Sequence, residues 1–343
     1  MKTRNIKPKK NFLKKLLVKI NRMAGYEIID QSNYFVETLD KKADKNLSSL
    51  GNNSITLPLG KLEIKRKVES LDIIIRSCAS VKMLSQSKER IFAKEKFEYS
   101  IRTLNSIVNS INYCKDIFNN INLKITIIDH NSSNEVKKKY ENILKNSSIN
   151  FEIVDLNFEN YKKYINNINQ ENKEVTENQK SNMSNIHQSL DFAKNFDDLI
   201  YFVEDDYIHR KTCIEEMIYA YEKFSTVLDQ ELFLCPTDYP YLYSTPKNTN
   251  LLIGNKYHWR TINETLCTFL TSKQMILKYY DLLTSMCKYE HLPFEKPLHN
   301  IFEKEFCLSP VPSLALHCTN VNSAYGLSPN INIEKLWKEN KYE

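Results

Sequence analysis

Glycine is scarce in this chain. The 343 residues hold five (Gly25, Gly51, Gly60, Gly254 and Gly326), and no two are close together. A phosphate-binding loop of the Walker or dinucleotide type needs clustered glycines, so that backbone can close around phosphate. None can be written here, which excludes P-loop NTPases and ordinary nicotinamide dehydrogenases. Long apolar runs are missing too. No stretch of about 18 uncharged apolar residues exists, so no membrane-spanning helix is expected. The first residues are basic with no long apolar run behind them, so a cleaved secretory signal is not expected either. The eight cysteines are scattered without one CxxC pair, which leaves a zinc ribbon unsupported. Most have apolar neighbours, where free thiols act as small hydrophobes, and they fit a reducing cytoplasm.

What is present is a soluble globular balance, 41% hydrophobic and 26% charged. The length suffices for one large domain or two ordinary ones. The net charge of +6 misleads as an average. Residues 1–22 hold nine basic side chains and no acid, and subtracting those nine from +6 leaves −3 for the rest. The basicity belongs to a tail. Within it, Leu13, Leu16, Leu17 and Ile20 share one helical face while Lys14, Lys15, Lys19 and Arg22 fall elsewhere, so residues 12–23 read as a basic amphipathic helix. Such a helix either docks on its own domain or lies on an anionic membrane, where each basic residue contributes about 1 kcal/mol. Residues 40–70 are polar and read as a linker with a hairpin around Gly60. The chain thus divides into an extension and linker (1–69), a main domain (70–330) and a C-terminal tail (331–343).

From residue 71 strands and helices alternate. Leu71–Ile75, Ile125–Ile128, Phe151–Leu156 and Leu199–Val203 are short, largely β-branched or aromatic runs of the kind buried in a sheet. Between them, Phe97, Ile101, Leu104, Val108, Ile111, Cys114 and Phe118 make one apolar stripe about six turns long, and Val136, Tyr140, Ile143 and Leu144 make another. Residues 157–184 are polar and read as a loop, with a helix marked by Ile186, Leu190 and Ala193. Thr212 and Glu215 have capping-box spacing. Leu232–Cys235 and Leu266–Leu270 read as further strands not parallel to the rest, and Met275 to Met286 as another helix. This order predicts an α/β fold, a mostly parallel sheet with helices on both faces. Ligands in such sheets sit at the carboxyl ends of the strands. Arg76-Ser77, Asp129-His130-Asn131 and Glu204-Asp205-Asp206 occupy those ends.

The last group is the sharpest local feature. Three consecutive carboxylates ending a buried strand repel one another, and partial burial strengthens the repulsion. A divalent cation relieves it. Hard oxygen donors suit magnesium or manganese, which leave positions for substrate phosphates and neutralise charge on a departing diphosphate. The plainer reading is an acidic turn, solvated or capping the helix that starts near Thr212.

These residues, in this order, resemble the GT-A glycosyltransferases, especially the family 2-like group, over about residues 70–320. Ile127-Ile128-Asp129-His130-Asn131-Ser132-Ser133 resembles the family's acid after the second strand. Glu204-Asp205-Asp206 resembles its Asp-x-Asp motif, with Glu replacing the first Asp. The resemblance implies a GT-A-like (Rossmann-like) sheet and a nucleotide-sugar donor. Arg76 and Ser77 would line the nucleotide pocket and Asp129 would contact the base. Asp206 would ligate Mn2+ or Mg2+. Glu204 would contact ribose, a metal-bound water or the metal itself, with Asp205 assisting. His317, after a short apolar run, would be a further metal ligand. The plainer alternatives are Arg76 paired with an acid and Asp129 capping the next helix.

An inverting transferase needs an acid to deprotonate the acceptor. Glu295 has the expected order in the chain, Asp238 is the alternative, and Glu264 and Glu290 are weaker candidates. The family's usual Glu-Asp pair is not clear, which leaves base and stereochemistry open. Tyr239, Tyr241, Tyr243, Tyr257 and Trp259 offer apolar faces to an acceptor sugar or to the core.

The leading expectation is a cytoplasmic, metal-dependent glycosyltransferase acting on a glycan, lipid-linked or protein acceptor. Residues 1–23 would give peripheral contact at the inner face of the membrane. A sugar-phosphate nucleotidyltransferase requires a Gly-rich basic segment after the first strand, and Ile75–Lys82 has no Gly. A non-catalytic anion-binding module leaves the triple acid unexplained, and the tail is too short to define a nucleic-acid fold.

Overall fold

The computed structural model describes residues 12–26, 54–57, 60–80, 90–147, 149–169, 171–244, 248–288, 294–319, 321 and 323–342. Residues 1–11 of the basic tail and the candidate base Glu290 lie outside the described residues. The chain falls into two compact units, divided between Glu63 and Ile64.

The first unit contains helix α1 (Phe12–Met23) and an antiparallel hairpin of β1 (Ser54–Leu57) and β2 (Gly60–Glu63). Both follow the expectation from sequence. On α1 the apolar stripe is open: Phe12, Leu13, Leu16, Leu17, Ile20 and Met23 are all exposed.

The second unit begins with β3 (Ser70–Ser77), α2 (Lys96–Cys114), β4 (Asn122–Asp129), α3 (Asn134–Lys145) and β5 (Asn150–Asp155). Next come α4 (Phe158–Lys162), α5 (Glu177–Ala193), β6 (Leu199–Glu204), β7 (Tyr207–His209) and α6 (Cys213–Leu228). Then follow β8 (Phe233–Leu234), α7 (Tyr241–Ser244), β9 (Leu251–Ile253), β10 (His258–Ile262), β11 (Phe269–Ser272) and α8 (Lys273–Ser285). The chain ends with α9 (Lys296–Phe302), β12 (Cys307–Val311), β13 (Ala315–His317) and α10 (Ile333–Glu339).

The main sheet has nine strands in the order β5-β4-β3-β6-β11-β8-β12-β10-β9. Strands β5, β4, β3 and β6 are mutually parallel, β8 is parallel to β12, and only β11 and β10 run against the rest. The sheet is therefore mostly parallel, as the alternation of elements predicts. Side chains of β3 alternate between its two faces. Ile73 and Ile75 join a core under α2, α3 and α6, with Ile101, Leu104, Tyr140 and Met217. Ile74 joins a core on the opposite face under α5, α8 and α9, with Ile186, Met275 and Ile301. A two-stranded ribbon of β13 and β7 stands apart from the main sheet. Beside it α10 buries Leu336 and Trp337 against Tyr99, Ile208 and Leu316.

Three local expectations need correction. Residues 157–184 are not a continuous loop: they contain α4 and the opening turns of α5. Thr176 and Gln179 form the capping box that starts α5 there. Thr212 makes no side-chain cap for α6; its hydroxyl is 3.1 Å from that of Tyr257, and Glu215 pairs with Lys256. Of the two later strands, β11 is antiparallel to β6, whereas β8 shares the direction of the parallel strands.

Candidate active site

Parallel strands β3 and β6 are neighbours in register, Arg76 opposite Glu204. This places the end of β3 beside the acidic turn after β6. The turn lies between β6 and β7, and β7 pairs with β13 so that Tyr207 faces His317. The two rings stack with centroids 4.8 Å apart. That register brings His317 to Asp206 although more than a hundred residues separate them in sequence.

Each of the three carboxylates is met by a basic side chain. Glu204 Oε1 lies 3.1 Å from Arg76 Nη2, Asp205 Oδ1 lies 3.2 Å from Lys96 Nζ, and Asp206 Oδ2 lies 3.3 Å from His317 Nε2. The mutual repulsion read from sequence is thus largely answered within the protein.

The three pairs differ in what else they do. Asp205 also accepts the Cys78 N–H at 3.1 Å, so it fastens the segment after β3 to the head of α2. Burial pushes its carboxyl up against the opposing pull of Lys96. Glu204 Oε2 accepts the Thr268 hydroxyl at 3.3 Å. The Arg76 guanidinium is 5% exposed and donates to Asn182 Oδ1 at 3.3 Å, while Nη2 makes no aligned hydrogen bond, despite its short distance to Glu204.

Asp206 accepts from the Thr319 hydroxyl as well as pairing with His317. Desolvation works against its charge, but His317 and Thr319 outweigh it and hold the carboxyl well below its usual range. For His317 burial pushes the pKa down, and the charge and hydrogen bond of Asp206, with Glu204 and the Tyr325 carbonyl, together push it up, so the net shift is upward. His317 Nδ1 is 2.9 Å from the Tyr325 carbonyl oxygen. A carbonyl only accepts, so Nδ1 carries the hydrogen and Nε2 is the atom turned to Asp206. A backbone carbonyl on one ring nitrogen with the other nitrogen left for a cation is the usual setting of a metal-binding histidine. Asp206 Oδ2 and His317 Nε2, 3.3 Å apart, could therefore hold one divalent cation. Among the described residues no three His, Cys, Asp or Glu side chains form a ready-made metal group. Two protein donors still match magnesium or manganese, which take one or two protein ligands and complete their shell with phosphate and water.

The other sequence candidates are placed as follows. Ser77 is buried with its hydroxyl 3.0 Å from that of Tyr140, on the α3 side of β3. Asp129 is enclosed: it accepts the Ser132 N–H at 3.1 Å and hydroxyl, and Lys137 lies 3.5 Å away. Its carboxylate shapes the turn into α3. Asp238 has a side chain 1% exposed and accepts from Arg260 and Tyr243. Glu295, just before α9, is buried, and its charge, with those of Arg76 and Glu204, acts on the Cys267 thiol, whose ionisation burial pushes far up. Glu264 accepts the Tyr325 hydroxyl at 2.8 Å, so Tyr325 links that acid to His317. Tyr239 and Tyr241 stack near Tyr325, whereas Trp259 is a core residue donating to Glu216 at 3.1 Å.

Lys96, Asn182, Thr268 and Thr319 were not singled out in the sequence. Lys96 carries one legible signal. It is the first residue of α2, where a cation opposes the helix dipole.

No family model matches the chain, and no curated protein matches it. Among solved structures, the galactosyltransferase LgtC, in complex with donor and acceptor sugar analogues, is similar at 11% identity and a TM-score of 0.37, over 67% of this chain and 70% of that one. Mouse xyloside xylosyltransferase 1 is similar at 9% identity and a TM-score of 0.36, over 68% and 76%. TarS of S. aureus is similar at 12% identity and a TM-score of 0.33, over 62% of this chain and 29% of its own.

Proposed function

We propose that this chain is a glycosyltransferase with a GT-A-like domain, taking its sugar from a nucleotide-sugar donor. The observation that carries the reading is the Asp206–His317 pair. It lies at the carboxyl end of the central parallel strands, with its tautomer set by Tyr325, beside a strand end lined by Arg76. That end of a parallel sheet is where ligands bind.

In this reading Asp206 and His317 would hold Mn2+ or Mg2+. The bound ion would supply Lewis-acid neutralisation of the diphosphate leaving group. Arg76 fixes Glu204, which would contact ribose or the ion's hydration shell. Asp205 keeps the Cys78 segment in place. Glu295, buried just before α9 in the expected order along the chain, would be the general base that takes the acceptor proton. The acceptor is a glycan, a lipid-linked intermediate or a protein.

Calorimetry with UDP-, GDP- and CMP-linked sugars, with and without manganese, tests the reading. Metal-dependent binding to one of them that disappears in Asp206→Ala supports it; no binding across the set contradicts it. Glu295→Gln is expected to keep donor binding and lose transfer by about 100-fold or more; unimpaired transfer moves the base elsewhere.

The open apolar stripe of α1 favours peripheral membrane contact at a cytoplasmic face. No described helix is long and apolar enough to cross a membrane. Removing residues 1–26 is expected to lower co-sedimentation with anionic vesicles while sparing transfer to a soluble acceptor. Unchanged co-sedimentation rejects the contact.

A further inference from the structure

His317 turns a nitrogen to Asp206 in one ring orientation only. Rotating the ring over about its Cβ–Cγ bond puts Cε1 where Nε2 now stands, and Asp206 loses that partner. The stack with Tyr207, whose hydroxyl meets that of Tyr239 at 2.7 Å, holds the plane of the imidazole but not its edge. A flat ring face accepts either orientation, so the choice falls to the hydrogen bond on Nδ1. That bond runs 2.9 Å to the Tyr325 carbonyl. Such a bond fixes both tautomer and ring orientation in metal-binding histidines.

The carbonyl itself is not placed by regular structure. Residues 323–331 form neither helix nor strand, so no ladder of backbone bonds sets it. The side chain of Tyr325 anchors it instead. Its ring centroid lies 5.4 Å from that of Tyr239 and 5.2 Å from that of Tyr241. Its hydroxyl donates to Glu264 Oε2 at 2.8 Å. The preceding Ala324 carbonyl accepts the Tyr241 N–H at 3.0 Å. Glu264 is a fixed post for this anchor, because the Tyr241 hydroxyl donates to its backbone carbonyl. It stands in the loop between β10 and β11, and the same loop carries Thr268, whose hydroxyl donates to Glu204. One loop thus braces both flanks of the acidic turn, Glu204 directly and His317 through Tyr325.

We propose that Glu264 and Tyr325 are positioning residues for His317: their hydrogen bond holds the segment whose carbonyl keeps Nε2 turned to Asp206. The inference rests on the metal-site reading above and deepens it. It makes Glu264 a support of the metal site rather than a base for the acceptor.

Manganese binding to the full chain, with and without UDP or GDP, tests this. It is read from the electron paramagnetic resonance signal of free Mn2+, with a thermal melt for each variant. Tyr325→Phe keeps the ring and removes only the hydroxyl, and Glu264→Ala removes the acceptor of that hydroxyl. Each is expected to weaken manganese binding about 10-fold. Glu264→Gln keeps an acceptor oxygen and is expected to stay within about 3-fold of wild type. Tyr325→Phe/Glu264→Ala is expected to bind no more weakly than the worse single variant, because both changes break the same bond. Transfer lost at low manganese is expected to return as manganese is raised. Wild-type manganese affinity in both single variants overturns the proposal, even where the melting temperature falls. Transfer that stays lost in Glu264→Ala at saturating manganese also overturns it and puts Glu264 on the acceptor. A wild type that binds no manganese with either nucleotide overturns the metal-site reading itself.

Discussion

Asp206 Oδ2 and His317 Nε2 face each other at 3.3 Å, the pair proposed to hold the metal ion. Burial lowers the pKa of His317, but the charge and hydrogen bond of Asp206, with Glu204 and the Tyr325 carbonyl, together raise it more, so the imidazole holds its proton to higher pH than a free histidine. Manganese binding must displace that proton. Affinity is therefore predicted to climb as pH rises through the His317 pKa, with proton release visible as a buffer-dependent binding enthalpy. An affinity flat from pH 6 to 8 contradicts the pairing. At this scale the sequence shows the three acids and gives His317 by its order in the chain. It does not show that each acid has its own cation. Arg76 and Lys96 come from other elements, and only the register of β3 against β6 and the packing of α2 bring them in.

A second residue tests the electrostatics away from the site. Asp72 on β3 is buried, and desolvation, only partly offset by Lys124, raises its pKa to about 6. A folded value above the unfolded one means the ionised side chain costs stability. The cost appears as pH rises from about 4 and is complete above about 6. Asp72→Asn is predicted to stabilise the protein at pH 7.5 by about 1–3 kcal/mol and to make little difference at pH 4, as read by urea denaturation. Equal effects at both pH values reject the assignment.

At the scale of elements, β3, β4, β6, α2 and α3 are legible because burial on both faces leaves continuous apolar runs in the strands and single stripes on the helices. Helix α5 is legible only in its second half, through Ile186, Leu190 and Ala193, for a physical reason. Its inner face buries Ser181, Ser184, Asn185, Gln188 and Ser189, so the apolar period disappears from the sequence. Two of these side chains spend themselves on backbone: Asn185 donates to the Ile128 carbonyl at 2.9 Å, and Gln188 accepts from Asn157 N–H at 2.7 Å. Helix α5 also carries Asn182 to Arg76. Thr176→Ala, which removes the capping box, is predicted to cost about 1 kcal/mol and to speed amide exchange in the first turns of α5. Exchange unchanged there places the start of the helix under other control.

For the whole molecule, the half of the sheet beyond β6 was the harder half to read. Its strands are two to five residues long, and β11 and β10 reverse direction, so neither run length nor alternation marks them. Yet that half completes the site. The β12–β13 segment returns His317 to the acidic turn, and the stretch after β13 supplies Thr319 and the Tyr325 carbonyl. The parallel half brings Arg76, Lys96 and the three acids to the same end of the sheet. The proposed activity depends on the two halves meeting at Asp206. Crystals soaked with manganese and the bound nucleotide diphosphate, with data collected at the manganese edge, test that most directly. The account predicts one strong anomalous peak within bonding distance of Asp206 Oδ2 and His317 Nε2, with diphosphate oxygens beside it. A nucleotide bound with no peak there, or a peak at another place in the molecule, contradicts it.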